Sequence, residues 1–346
     1  MERQRISILL PHLFALLLAA GPVLAEGVAA TDFRGRRIEL DKPAERIICL
    51  LESALSGLYM LGADSRLVGI STNVYEGSVY PYYAAMDERI RDRTLPTPGN
   101  WDFVNIESMV ALQPDLVIVW SGQEESIAAL EEKGIPVFGV FIDRFEDIHR
   151  EIAALGELTG TGKRAAELLE LARKELEAVR LKVSPGVEAR APPRVYFMWA
   201  QGPLVTAGRN STVQELIGLA GGANAAGDSD LEHLVVNLEN VLVWNPELIV
   251  MWCNDRLDPE DIGELSGWRS LAAVRNGLVH ELPDPFSCDF WTLKYIFTVD
   301  LVARWCHPDR FSAGDPEELR RSLLNKLYAG RLGDLPPLDS GRGERQ

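Results

Sequence analysis

One 17-residue pattern occurs twice in this chain. Residues 105–121 read NIESMVALQPDLVIVWS, residues 237–253 read NLENVLVWNPELIVMWC, and the second copy begins 132 residues after the first, at Asn237 against Asn105. Each copy predicts a short amphipathic helix, a proline that ends it, and an apolar run typical of a strand buried on both faces of a parallel sheet. Five positions are identical: Asn105/Asn237, Glu107/Glu239, Pro114/Pro246, Leu116/Leu248 and Trp120/Trp252.

The duplication predicts two similar α/β lobes. Each predicted strand ends near a tryptophan, Trp120 in the first copy and Trp252 in the second. In open α/β sheets, ligands bind at the carboxyl ends of the strands. We therefore expect each lobe to offer one tryptophan to the space between the lobes and one glutamate to an outer surface.

The N-terminus has the features of a secretory signal. Arg3 and Arg5 precede an apolar stretch over residues 6–20, and Val23-Leu24-Ala25 supplies small residues before Glu26. This pattern predicts a signal peptide over residues 1–25, cleaved after Ala25. No cysteine directly follows the apolar stretch, so a lipid anchor is not expected. No second segment is apolar enough to cross a bilayer, which indicates an exported, periplasmic protein.

Charge and cysteine spacing narrow the function classes. The formal net charge of −16 argues against nucleic acid as a partner, since phosphates require clustered Lys and Arg. The four cysteines, Cys49, Cys253, Cys288 and Cys306, lack metal-binding spacing, so no zinc site is expected. In an oxidising compartment Cys253 and Cys288 are candidates for a disulfide near the cleft, and free buried thiols are the alternative.

The order of the predicted elements indicates how the chain is divided. Strands alternate with helices over residues 26–145 and again over 191–330, which predicts two Rossmann-like lobes with parallel sheets. Residues 146–190 show helical periodicity, with one apolar face and a helix of about twenty residues joining the lobes. We expect Ser53 to cap the first helix, which ends at Gly62, and Thr212 with Glu215 to form a capping box. Residues 331–346 are predicted to be a disordered tail.

Several ordered motifs resemble a known family over most of residues 31–310. They are TDFRGRRIELDKPAERIICLLESALSGLYMLGADSRLVGIS, LQPDLVIVW and GWRSLAAVRNGLVHELP. They are similar to the substrate-binding proteins of bacterial ABC importers for ferric siderophores, haem and cobalamin. The resemblance implies two α/β lobes joined by one rigid helix, with the ligand cleft between them.

The resemblance also implies how the protein meets its transporter. In that family a glutamate of each lobe docks onto arginines of the membrane permease dimer, and the matching positions are Glu107 and Glu239. A carboxylate accepts a bidentate pair of hydrogen bonds from an arginine, so two such contacts fix orientation. The alternative is that each glutamate is an early-turn acid favoured by the helix dipole.

For the ligand, the resemblance to the cobalamin-binding branch implies an aromatic lining. The positions that match, or that follow strands of the second lobe, are Tyr75, Trp101, Trp120, Trp199, Phe290 and Trp291. Where that branch has an aromatic residue before the second docking motif, this chain has Leu234 and Val235 beside His233. Ordinary core packing is the alternative reading of these aromatic residues. Arg209 is a candidate for an anionic group of the ligand or a surface residue, and His233 and Asp289 are weaker candidates.

These features predict a monomeric periplasmic binding protein with no intrinsic cofactor and no bound metal of its own. Its expected ligand is a bulky metal chelate, a ferric siderophore or corrinoid or else haem, which it delivers to an ABC importer. One alternative is capture of a bare transition-metal ion, which needs several converging ligands, whereas only four histidines follow residue 25. The other is a sensor or enzyme on the same lobes, although no catalytic motif is present.

Overall fold

The computed structural model describes residues 27–184, 191–254, 256–311 and 314–333. The predicted signal peptide with its cleavage site after Ala25, and residues 334–346 of the predicted tail, lie outside these ranges. Within them, no helix is both long and apolar enough to cross a membrane.

The strands are short and fall where the apolar runs are. They are β1 (Val28–Thr31), β2 (Arg37–Leu40), β3 (Ile47–Cys49), β4 (Leu67–Ile70), β5 (Leu116–Trp120), β6 (Val137–Val140), β7 (Arg194–Met198), β8 (Val205–Ala207), β9 (Ala223–Asn224), β10 (His233–Val235), β11 (Leu248–Met251) and β12 (Val279–Glu281).

The helices lie between and after these strands. They are α1 (Glu52–Leu61), α2 (Asn73–Glu76), α3 (Tyr80–Met86), α4 (Glu88–Arg91), α5 (Ile106–Ala111), α6 (Glu124–Glu132), α7 (Phe145–Leu158), α8 (Gly162–Val183), α9 (Thr212–Leu219), α10 (Leu238–Trp244), α11 (Pro259–Ile262), α12 (Ala272–Arg275), α13 (Tyr295–Cys306) and α14 (Pro316–Leu327).

The two lobes have the same sheet topology. The first contains a parallel sheet of order β4-β3-β5-β6 and the second a parallel sheet of order β12-β11-β7-β9. If the strands of each sheet are numbered in chain order and the second sheet is taken from its β9 edge, both sheets have the order 2-1-3-4. The β1–β2 and β8–β10 pairs are separate antiparallel ribbons. The predicted α/β fold with two parallel sheets is confirmed, and the duplication extends to the whole sheet.

Alternate residues of the central strands pack into two different cores. In β5, Ile118 packs with α1, α7 and α8 in a core that continues into the second lobe, and Val119 packs on the opposite face against α5 and α6. In β11, Val250 joins the shared core and Ile249 packs against α10, α11 and α12. Burial on both faces explains why these strands are continuous apolar runs.

A single long helix joins the lobes. Helix α8 has 22 residues, or about 33 Å at 1.5 Å per residue. Ala165, Leu168, Ala172 and Val179 form its buried face, at the spacing that the sequence predicts. Helix α7 precedes it as a separate helix, and the chain turns between them at Gly160, whose φ is 63°.

Two stacked aromatic pairs also hold the lobes together, one at each flank. The Tyr82 ring lies 4.0 Å from that of Phe286, and the Phe145 ring lies 3.9 Å from that of Tyr295. The Tyr82 hydroxyl also donates to an Asp284 carboxylate oxygen at 3.2 Å. With α8, these contacts make the pair of lobes one packed body.

Two predicted helix caps differ from the structure. Helix α1 begins at Glu52, so Ser53 lies inside it, and Leu51 precedes it without a side-chain cap. Helix α9 is capped by Ser211, whose hydroxyl accepts from the Gln214 amide, so the Thr212–Glu215 capping box is wrong. The Glu215 carboxylate accepts from the Phe145 amide instead, at 2.8 Å. Gly62 ends α1 with a φ of 72°, as predicted.

We expect little closure of the lobes on ligand binding. A stiff helix and packed aromatic contacts at both flanks resist the rotation that extended linkers permit. Small-angle X-ray scattering of the free and ligand-saturated protein should give the same radius of gyration within experimental precision. A marked compaction would contradict this interpretation.

Candidate functional site

The carboxyl edges of the two sheets face each other. Tyr82 follows the carboxyl end of β4, and Phe286 follows that of β12; at the other flank Phe145 follows β6 and contacts Tyr295. Because the flanking segments meet across the two lobes, the central strands β3, β5, β7 and β11 end toward the space between the contacts. This cleft is the place where an open α/β sheet binds its ligand.

Two exposed tryptophans lie near the carboxyl edge of the first lobe's sheet. Trp101 is 44% exposed and Trp120, at the end of β5, is 39% exposed. The Trp120 ring lies over Gly122, where an added Cβ would be 2.6 Å from the ring. The Gln123 side chain donates to the Asn100 carbonyl at 3.2 Å and so ties the Trp101 loop to the segment after Trp120. These contacts hold the two indoles on neighbouring segments.

A packed aromatic cluster lies at the carboxyl ends of the second lobe's central strands. The Trp199 ring centroid lies 5.5 Å from that of Trp252, 6.5 Å from that of Trp291 and 5.2 Å from that of His233. Phe290 is fully buried beneath, 5.0 Å from Trp252. Trp199 is also mostly buried, and its Nε1 has no hydrogen-bond partner among the described residues. A ligand would therefore meet Trp252 and Trp291 before Phe290.

Two further candidates have partners within the protein. The Tyr75 hydroxyl donates to the Leu95 carbonyl at 3.1 Å, and the Arg93 guanidinium lies 5.2 Å from the Tyr75 ring centroid. Arg209 forms an ion pair with Asp230 at 2.9 Å. A ligand anion would have to compete with that carboxylate for the guanidinium.

The two polar candidates, His233 and Asp289, have different surroundings. His233 is exposed and packs against Trp199. The Asp289 carboxylate lies 3.5 Å from Lys294 Nζ and accepts from the Trp291 amide at 2.9 Å. Among the described residues, no group of three or more His, Cys, Asp and Glu side chains is arranged to hold a metal ion.

The described residues include all four cysteines, and none is in a disulfide bond in this structure. Burial raises the pKa of the Cys288 thiol well above its usual value, and the charges of Asp284 and Cys253 raise it further. The proposed pairing of Cys253 with Cys288 stays a prediction.

The two repeated glutamates occupy matching positions. Asn105 and Asn237 cap α5 and α10 and accept from Ser108 and Asn240 amides at 2.9 and 2.8 Å. Each glutamate is therefore the second residue of its helix. Both side chains are exposed, and neither has a hydrogen-bond or ion-pair partner among the residues that the structure describes.

Both glutamates lie at the cleft end of their lobes, rather than on a remote outer surface. The Asn105 amide donates to Pro98, and the adjacent Gly99 bridges to Ser71, which follows the carboxyl end of β4. In the second lobe the Val236 amide donates to Leu204, in the turn that follows β7. The sequence pattern did not locate them because the antiparallel packing of helix on strand is a tertiary feature.

One carboxyl group of α7 is buried. Glu151, on α7, is almost inaccessible, and its Oε1 has no hydrogen-bond partner among the described residues. Burial, with a smaller contribution from the charge of Asp289, raises the pKa of Glu151 to about 8. The carboxyl group is therefore largely protonated at neutral pH.

Glu151→Gln should make the protein less sensitive to alkaline pH. In the unfolded wild type, the Glu151 carboxyl group ionises above its ordinary pKa of 4.5. In the folded protein, the same group keeps its proton up to about pH 8. The free energy of unfolding therefore falls as pH rises between these values. In urea denaturation, the free energy of unfolding of the variant relative to that of wild type should rise by on the order of 1–4 kcal/mol between pH 5 and pH 9. Glu146→Gln, at an exposed site on α7, is the control, and equal pH profiles for wild type and Glu151→Gln would contradict the assignment.

One exposed aromatic residue near the sheet edge was absent from the sequence predictions, and two others had more support in the sequence than their predictions used. Phe141, exposed just after β6, had no sequence signal beyond its position. Trp252 was expected only as the repeat partner of Trp120, and His233 only as a weaker candidate. The repeat offset also places His233 opposite Trp101, which is a second sequence signal for it.

Two similar lobes with an aromatic cleft between them define a two-lobed binding protein. A model of the periplasmic binding protein family matches residues 47–286, and the chain belongs to this family. It is 28% identical over 270 residues to the vitamin B12-binding protein of Vibrio cholerae, covering 76% of this chain and 88% of that protein. The structure of that species' periplasmic vitamin B12-binding protein BtuF superposes with a TM-score of 0.60 at 25% identity, covering 77% and 98%.

Another solved structure shows the fold alone. The molybdate-bound periplasmic binding protein MolA of Haemophilus influenzae superposes with a TM-score of 0.73 at 21% identity, covering 89% of this chain and 99% of that one. The family places the protein in the periplasm, as the substrate-binding component of an ABC importer.

Proposed function

We propose that this protein binds a bulky metal chelate in the periplasm, a corrinoid or a ferric siderophore or else haem, and delivers it to an ABC permease dimer. The observation that carries the proposal is the pair of aromatic walls at the facing sheet edges. Trp101 and Trp120 project exposed indoles from one lobe, and Trp252 and Trp291 cover the cluster of the other. Large flat apolar surfaces separated by a cleft suit a ligand with a broad macrocyclic or aromatic face.

Similarity to the vitamin B12-binding protein of Vibrio cholerae supports a corrinoid as the first ligand to test. The aromatic residues Trp101 and Trp120 favour a corrinoid. Leu234 and Val235, beside His233, stand where the cobalamin-binding branch has an aromatic residue, and this departure leaves siderophore and haem in the class. We further propose that the protein has no intrinsic cofactor, that it acts as a monomer without catalysis, and that its signal peptide is cleaved after Ala25.

Delivery is proposed to use Glu107 and Glu239. Two exposed carboxylates at equivalent positions of two lobes, both at the cleft end, suit a permease dimer that presents a cation from each subunit. The space between these contacts would then be the space from which the ligand leaves.

The ligand class can be tested directly. The protein purified from the native periplasm should carry visible absorbance of a corrinoid, haem or ferric chelate, identified by mass spectrometry. The ligand-free protein should then lose tryptophan fluorescence on titration with cyanocobalamin, haemin or a ferric catecholate. Saturable binding of a bare divalent ion, with no response to any of these chelates, would overturn the proposed ligand class.

A further inference from the structure

The two repeated glutamates have exposed apolar neighbours at matching positions. We define the rim segments as residues 103–110 and 235–242, which read FVNIESMV and VVNLENVL in the same repeat register. Phe103 and Val235, two residues before each capping asparagine, are 63% and 79% exposed. Val110 and Leu242, three residues after each glutamate, are 37% and 38% exposed.

The buried faces of the same segments account for their other apolar residues. Val104 packs in one core cluster with the buried Met109, and Val236 packs in another with the buried Val241. In each pair the valine directly precedes the capping asparagine, and its buried partner is the fourth residue of the helix. This is the spacing of a hydrophobic staple. Local helix formation therefore explains the buried pairs and leaves the exposed ones unexplained.

Single exposed apolar residues are normal on a protein surface. Here two positions of each rim segment are apolar and exposed to similar extents in both copies, although five of the eight positions differ in identity. Phe and Val share no feature at the first position except being apolar. The agreement between the lobes indicates that each lobe presents the same kind of surface, and that these two surfaces meet two equivalent surfaces of a partner.

We propose that each rim segment is a composite docking surface, in which a glutamate flanked by two apolar side chains contacts one subunit of the permease dimer. This inference rests on the proposed function. The partner surface it requires is a cation, arginine or lysine, with apolar side chains on both sides. The charge positions the complex, and the flanking apolar contacts slow its dissociation once water is excluded.

The apolar and charged parts make different predictions for salt. Phe103→Ser with Val235→Ser should weaken association with the permease about tenfold or more through faster dissociation, with the same salt dependence as wild type. Loss of the glutamates should instead flatten the salt dependence. The association is measured by surface plasmon resonance without ligand, against the permease in lipid nanodiscs, at low, physiological and high NaCl.

Leu181→Ser is the matched control, because Leu181 is 65% exposed on α8 and lies outside both rim segments. Cyanocobalamin titration of the same variants separates docking from ligand contact. The proposal is overturned if the rim variant associates within twofold of wild type, or if it loses cyanocobalamin affinity while associating normally. If the wild type itself does not associate with the permease, the delivery function fails and this inference fails with it. Failure of cyanocobalamin to bind the wild type bears on the ligand class alone, and the association result then decides the proposal.

Discussion

Replacing Trp120 and Trp101 together with alanine is expected to weaken binding of the chelate about 100-fold. Both indoles are substantially exposed at the carboxyl edge of the first sheet, so their loss should leave the fold intact. A well-placed aromatic contact contributes on the order of 1–2 kcal/mol, and two such contacts give this factor. Isothermal titration calorimetry is the appropriate measurement, because removing tryptophans changes the fluorescence signal itself.

The control for this experiment is Leu181→Ala, an exposed apolar residue on α8. A second variant tests orientation without removing a ring: Gly122→Ala places a methyl group against the Trp120 indole, at 2.6 Å before relaxation. The ring must move, so affinity should fall although every aromatic residue is retained. If the double alanine variant binds within twofold of wild type, these tryptophans do not line the binding site.

The second large effect is expected on transport. The double variant Glu107→Ala, Glu239→Ala should take up ligand at least tenfold more slowly in a strain that depends on this protein, with ligand affinity within twofold of wild type. The carboxylates have no partner among the described residues, so their removal breaks no internal contact. Under the proposed docking, the variant loses the orientation toward the permease cations and the rate of association that charge supplies.

A matched control separates docking from the helix dipole. Glu125 and Glu260 are also exposed acids at the second position of a helix, one in each lobe. Glu125→Ala with Glu260→Ala removes the same dipole interaction without touching the repeated positions. Its transport should be normal. Charge reversal at Glu107 and Glu239, combined with reversal of the permease arginines, should recover some uptake. Normal transport by the double alanine variant would leave these glutamates as helix-dipole residues.

The wrong capping box shows the limit of local sequence signals. The sequence offers Thr212 and Glu215 at capping-box spacing, and nothing local distinguishes them from Ser211 one residue earlier. Glu215 instead accepts from the Phe145 amide, 70 residues away and in the other lobe. A hydrogen bond over that separation depends on how the lobes pack. The spacing of residues along the chain holds no information about that packing.

The candidate site divides in the same way. Strand ends were predictable, because a continuous apolar run followed by a tryptophan marks the carboxyl end of a buried strand. Exposure was not: Trp120 is partly exposed, whereas Phe290 is fully buried under Trp252 and Trp199. Arg209 reads as a free cation in the sequence, and the fold gives it Asp230 as a partner.

By itself the sequence determined the duplicated helix-strand units, the parallel α/β class and the long helix between the lobes, since these follow from periodicity, capping residues and apolar runs within single segments. The tertiary structure decided which strand-end aromatic residues remain accessible, and it placed both repeated glutamates at the cleft end of their lobes. Those outcomes depend on how helices reverse onto their strands and how two sheets face each other. Such contacts join residues far apart in the chain, and their energies are set by packing rather than by local pattern.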